Sequence, residues 1–147
     1  MQMTLQRSRS AGYMTNWAAR LFARAIDRRL KPLGISSGQL PVFFALGGGA
    51  ALSQKALAEL AAIEQPTMAA TLSRMERDGL VGKSPDPDDR RSSLISLTPV
   101  AMEKAQEVRE VIASVNAAAL SALTPEEREA YLGSLAKITA ALDGLGD

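Results

Sequence analysis

From Tyr13 onward the chain alternates between stretches with apolar residues every three or four positions and short clusters that interrupt them. Met14, Ala18, Phe22, Ile26 and Leu30 recur every four residues, with Trp17, Leu21 and Ala25 in the neighbouring row, which predicts a helix that Pro32 and Gly34 end. Its apolar face is wider than one contact requires. Arg20, Arg24, Asp27, Arg28 and Lys31 take the other side, with Asp27 and Lys31 spaced for an i, i+4 pair. The preceding residues to Gly12 are polar and are expected to fray. Ser36 to Gln39 is a capping-box pattern leading into a short apolar helix, Leu40 to Leu46. Pro41 inside that helix is expected to kink it or loosen its first turn. Gly47-Gly48-Gly49 then breaks the chain.

Ser53 to Thr98 is the stretch around which the rest is organised. It predicts two short helices followed by two short strands. Ser53 is placed to cap the first helix, whose buried stripe is expected to be Ala56, Leu57, Leu60 and Ala61. After a break at Ala62-Ile63-Glu64, Pro66 falls in the first turn of a second helix, where its missing N–H costs nothing. That helix runs to Gly79, suited to a left-handed position just past the end. At 100° per residue Met68, Leu72 and Met75 share the core side, while Pro66, Thr67, Ala70, Ser73, Arg74 and Arg77 point away. A small, polar face with two arginines on the second helix of a helix-turn-helix suits a DNA major groove. An ordinary amphipathic surface helix has the same pattern.

Two strand-length runs follow, Leu80 to Ser84 and Ser92 to Leu97. Pro85 to Arg91 joins them, and its Pro-Asp-Pro start is expected to exclude regular structure and to form the turn. Arg90 and Arg91 then sit near the tip of a protruding hairpin, within reach of a minor groove or a phosphate. A solvated tip that is charged to avoid edge-to-edge aggregation has the same composition. The helix-turn-helix and the charged hairpin together are far more specific than either. Beyond them, Thr98-Pro99 caps a long helix whose stripe is Met102, Ala105, Val108, Ile112, Val115 and Ala119. Thr124 to Glu127 is a second capping box, and Leu132, Leu135, Ile138 and Leu142 mark the last helix.

GLVGKSPDPDDRRSSLISLTP resembles the wing signature of the MarR-type winged-helix regulators through Gly79, Leu80, Val81, Asp89, Arg91, Leu97 and Thr98. Gly34-Ile35-Ser36 with Gln39, then Leu52-Ser53-Gln54 and Leu57-Ala58, fit the same family upstream, so the resemblance covers Tyr13 to Leu142. It departs at Lys83, where arginine is usual, at Ala70, often polar or basic, at Glu64, a poor helix cap, and at Val100-Ala101. The fold class implied is mainly α with a small β-hairpin wing, a winged helix-turn-helix with flanking dimerisation helices. The implied organisation is one domain, 1–147, with dimerisation helices at 13–32 and 99–147 and a DNA-binding lobe at 36–98.

The resemblance implies a homodimer that reads a palindromic operator in double-stranded DNA and releases it when a small molecule binds. The DNA face comprises Gln65, Pro66, Thr67, Ala70, Thr71, Ser73, Arg74, Arg77, Lys83, Asp89, Arg90 and Arg91. The D-x-R spacing points to Asp89 holding the Arg91 guanidinium by a charge-assisted hydrogen bond. An effector, with an aromatic anion as the class considered, would meet Tyr13, Trp17, Arg20, Arg24, Phe43 and Phe44, with Phe22 a further apolar wall. Aromatic residues at helical spacing serve equally as core.

Composition narrows the chemistry. With no cysteine there is no disulfide or thiolate metal site, and with no histidine the usual general base and commonest metal ligand are missing. A carboxylate-only Mg²⁺ site stays open, yet no nucleophile-elbow, phosphate-loop or dinucleotide motif occurs, so no enzyme and no cofactor are expected. No apolar run approaches a membrane span and the start lacks a signal-peptide core, so a cytoplasmic protein without membrane contact is expected. Residues 1–52 hold seven Lys/Arg against one Asp, 53–98 hold six against seven acids, and 99–147 hold four against eight. The opposite signs of the two ends suit ends that pack together. The balance of −1 over the reading segment keeps a second reading in view, a winged helix serving as a protein-interaction module without operator binding.

Overall fold

A computed structural model describes residues 5–146, and the described chain divides between Ile112 and Ala113 into two compact units. In the first unit, helix α1 spans Ala11–Leu30 and starts two residues earlier than the apolar pattern indicates, because the Ser10 side chain accepts the Tyr13 N–H. Only Ile26 and Leu30 of α1 are buried; Tyr13, Met14, Trp17 and Leu21 are exposed. Asp27 does not pair with Lys31. Its carboxylate accepts the Ser37 N–H at 2.6 Å, which ties α1 to the next turn. There the Ser36–Gln39 capping box forms, and a 3-10 turn at Ser37–Gln39 leads into α2, Leu40–Leu46. Pro41 falls in the first turn of α2, where the lost N–H has no helical partner, so the tighter turn replaces a kink.

Helices α3, Gln54–Ala61, and α4, Gln65–Arg77, form the helix-turn-helix. The Ser53 hydroxyl caps α3 by accepting the Ala56 N–H at 3.1 Å. Leu57 and Ala58 supply its buried side, whereas Leu60, assigned to the stripe by spacing, is 70% exposed. An eight-residue helix has room for one narrow contact row, and the row runs through Leu57 and Ala58.

Strands β1, Val81–Asp86, and β2, Asp89–Leu97, make an antiparallel hairpin. The turn is shorter than the sequence indicates, since Pro85 and Asp86 belong to β1. The edge position of β1 tolerates a proline that donates no hydrogen bond. Pairing runs regularly from Val81↔Leu97 to Pro85↔Ser93 and then jumps to Asp86↔Asp89, which leaves Arg90, Arg91 and Ser92 out of register. On the other side of β2, Leu52 and Ile95 exchange two backbone hydrogen bonds, at 2.8 and 3.0 Å.

Helix α5, Pro99–Ala119, begins in this unit, where Ala101, Ala105 and Val108 are buried. Ala105, Val108 and Val115 of the expected stripe are buried, but at its start Ala101 is fully covered in place of Met102, which is 37% exposed. The second unit holds the end of α5 and helix α6, Pro125–Asp143, started by the Thr124–Glu127 capping box. No residue of α6 is buried.

Candidate DNA-binding face

Met68, Leu72 and Met75 anchor α4 in the core, and this fixes what the helix presents. Gln65, Pro66, Thr67, Ala70, Ser73, Arg74 and Arg77 are exposed, and Thr71 is half-buried at the border of the two faces. Arg74 and Arg77 occupy the last turn, where the negative end of the helix dipole favours them. The helix stops in a motif with two backward hydrogen bonds. Gly79 N–H donates to the Glu76 carbonyl at 3.1 Å and Leu80 N–H to the Met75 carbonyl at 2.8 Å. Gly79 sits at φ 75°, which a side chain would strain. Glu64 occupies the cap position without a side-chain hydrogen bond.

The cations of the face differ in their engagement. Arg77 Nε lies 3.8 Å from Asp78 Oδ1 and Lys83 Nζ lies 3.7 Å from Glu76 Oε2, both between well-exposed side chains. Such pairs contribute little and exchange readily for a phosphate. Arg74, Arg90 and Arg91 make no ion pair among the described residues. At the wing tip, the carboxylates organise backbone instead of guanidinium. Asp86 Oδ1 accepts the Asp88 N–H at 2.9 Å, and Asp89 Oδ1 accepts the Arg91 N–H at 2.9 Å. The expected Asp89–guanidinium bond is therefore replaced by a local turn of the kind Asp forms two residues ahead, and it leaves the Arg91 side chain available.

A polar cleft of about 420 Å³ separates the start of α3 from the wing. Gln54, Lys55, Lys83, Asp86, Asp89 and Arg91 are among its lining residues. Lys55 is a cation that the sequence pattern did not single out. It stands two residues after the Ser53 cap, and the fold, not its spacing in the sequence, brings it beside the wing.

The aromatic residues considered for an effector do not converge. Phe43 and Phe44 line a hollow of about 330 Å³ together with Gly47, Val108, Arg109 and Ile112. Tyr13 borders a separate hollow with Leu5 to Ser8 and Ser10, and the Arg7 guanidinium lies 5.1 Å from the Trp17 ring centre. Arg20 and Arg24 are exposed on α1 and line neither hollow. The cation at the phenylalanine hollow is Arg109, whose Nη2 donates to the Gly47 carbonyl at 3.4 Å. Spacing along α5 offered no sign of it, because the contact crosses 62 residues. Among the described residues no group of three or more acidic side chains could hold a metal ion, and no helix is long and apolar enough to cross a membrane.

Known proteins share this arrangement. A family model described as the MarR family matches residues 33–92, which run from before α2 into β2. An HTH-type transcriptional regulator of Bacillus subtilis (strain 168), YwoH, is 29% identical over 119 residues, covering 81% of this chain and 86% of that protein. A MarR-family regulator from Silicibacter pomeroyi is 25% identical with a TM-score of 0.78, covering 95% of this chain and 96% of that one. The S. aureus MepR–DNA complex shares the fold at 21% identity, with a TM-score of 0.80 over 90% of this chain and 98% of that one. With its helix-turn-helix and its two-stranded wing, the chain shares the fold of the MarR-type winged helix-turn-helix regulators and is similar to that family over residues 33–92.

Proposed function

We propose that the protein is a cytoplasmic, ligand-responsive repressor that binds a palindromic operator as a homodimer. In this reading residues 1–147 form one domain, with 13–32 and 99–147 as dimerisation helices and 36–98 as the reading lobe. The observation that carries it is the exposed face of α4, set by three buried side chains and flanked by a wing with two arginines outside any ion pair. Gln65, Pro66, Thr67, Ala70, Thr71, Ser73 and Arg74 meet the major groove, Thr67 and Arg74 help to set sequence, and Arg77 holds phosphate. Lys83 and Arg90 are backbone contacts, Asp89 shapes the wing, and Arg91 enters the minor groove or meets its edge. MepR, which has the same fold, forms a complex with DNA, and this supports the reading.

The effector is an aromatic anion that places its ring against Phe43 and Phe44 and its charge at Arg109, in the hollow of about 330 Å³. Selection of duplexes from a random pool, followed by binding measured at several salt concentrations, tests the DNA reading. A palindrome should be enriched, and its affinity should fall with salt along a straight logarithmic line. Thr67→Ala should change preference at particular base pairs by about 1–3 kcal/mol. A uniform loss over all sequences would instead make Thr67 a phosphate contact. The slight acidic excess of residues 53–98 and the exposed Ala70 favour the second reading, a protein-interaction module. No enrichment of any duplex would support that reading.

A further inference from the structure

We propose that the Thr98 hydroxyl is a positioning residue that fixes the last turn of α4 against the start of α5, and that operator recognition acts through it. The link between α4 and the wing is short, and its backbone groups are divided between two directions. The N–H groups of Gly79 and Leu80 turn back into α4, to the carbonyls of Glu76 and Met75. The two carbonyls are both taken by Thr98. Its N–H donates to the Leu80 carbonyl at 3.0 Å, and its Oγ1 donates to the Gly79 carbonyl at 2.7 Å.

The same oxygen accepts the Ala101 N–H at 3.2 Å and so caps α5. A hydroxyl has one hydrogen to donate and two lone pairs to accept with, so a single group performs both tasks. Two further side chains of α5 hold carbonyls of the same unit, Lys104 that of Leu33 at 2.9 Å and Arg109 that of Gly47 at 3.4 Å. Of these three tethers, Thr98 is the one that reaches the recognition helix. A displacement of α5 is therefore passed to the turn that carries Arg74 and Arg77. The tether is partly open to water, so its effect on binding is modest.

The substitutions at Thr98 separate its two tasks. Serine keeps both. Aspartate accepts, and so caps α5 well, but has no hydrogen for Gly79. Valine keeps the shape and loses both. The inference rests on the DNA-binding reading, so two measurements are made on the full chain. One is the affinity ratio between the duplex selected by the unmodified protein and an unrelated duplex of equal length, which cancels any uniform charge effect. The other is amide exchange at Gly79 and Leu80 without DNA, which reports on the end of α4 that the tether steadies, independently of any DNA contact.

Thr98→Val and Thr98→Asp should each lower the affinity ratio roughly five- to tenfold and speed exchange at both amides by a similar factor. Thr98→Ser should match the unmodified protein in both, and Thr98→Asp should unfold at no lower urea concentration than Thr98→Val. Unchanged ratio and exchange in Thr98→Val and Thr98→Asp would overturn the proposal, as would equal losses in Thr98→Ser. If no duplex is selected at all, the DNA-binding reading fails, while the exchange measurement still decides whether Thr98 holds the helix end.

Discussion

At the scale of single residues, the wing tip shows how charge and turn chemistry divide the work. Asp89 spends one carboxylate oxygen on the Arg91 N–H, which shapes the chain around the arginine and leaves its guanidinium to other partners. Arg91→Ala removes a cation from each of two wings in the proposed dimer. The slope of log K against log salt should then become shallower by roughly 2, which a titration across salt concentrations measures. Asp89→Ala should also weaken binding, although it removes a negative charge from the face, because the turn that presents Arg91 is lost. Tighter binding of Asp89→Ala with an unchanged slope for Arg91→Ala would reduce the wing to a solvated hairpin. The D-x-R spacing therefore identified the pair in the sequence but not the bond between them. Side chain to backbone hydrogen bonds two residues apart compete with ion pairs of the same spacing, and only geometry decides between them. Arg109 and Lys55 were missed for a different reason. Each acquires its role from a neighbour distant in sequence, the Gly47 carbonyl for one and the wing for the other.

Among the elements, the buried side of α4 was legible because a thirteen-residue helix samples its apolar face several times, at Met68, Leu72 and Met75. The eight-residue α3 offers fewer repeats, so Leu60 could be placed on the wrong side. Strand limits were less legible still, since Pro85 is excluded from a central strand but not from an edge. The turn between α3 and α4 is built from second-best residues, and this gives a prediction. Ala62 holds the left-handed position at φ 53°, where glycine carries no side-chain penalty. Glu64 stands at the cap of α4 without capping it, and with Pro66 lacking an N–H, Thr67 offers the N–H that a cap in this turn would use. Glu64→Ser should stabilise the fold by about 0.5–1 kcal/mol, and Ala62→Gly by up to about 1 kcal/mol once its greater unfolded-state freedom is deducted. Urea midpoints at one fixed protein concentration check both. A lower midpoint for Glu64→Ser would mean that its carboxylate has a role at the helix start that the hydroxyl cannot supply.

At the scale of the whole molecule, the distribution of exposed apolar surface is the main clue to assembly. No residue of α6 is buried, and Leu132 and Leu142 are 56% and 61% exposed. On α1, Met14, Trp17 and Leu21 are likewise uncovered, although they belong to a regular apolar pattern. The sequence showed that these faces exist, but no single-chain pattern distinguishes a side chain covered by its own domain from one covered by a second copy. Exposed apolar rows on two helices are costly in water, at about 25 cal/mol for each Å² that a partner could cover. In the proposed dimer a second copy would cover them by symmetry, and the basic first third and acidic last third of the chain would favour that contact electrostatically. The protein should therefore sediment as a dimer at micromolar concentration. Its unfolding should be concentration-dependent, each tenfold increase in protein adding about 1.4 kcal/mol to the apparent stability. Deleting residues 125–147 should abolish the dimer and, with it, cooperative unfolding, because in an obligate dimer the two are inseparable. A truncated chain that stays monomeric, folds cooperatively and melts at the same temperature at every concentration would show that α6 is dispensable to the fold. A full-length chain that behaves this way would leave the apolar faces of α1 and α6 without the partner proposed for them.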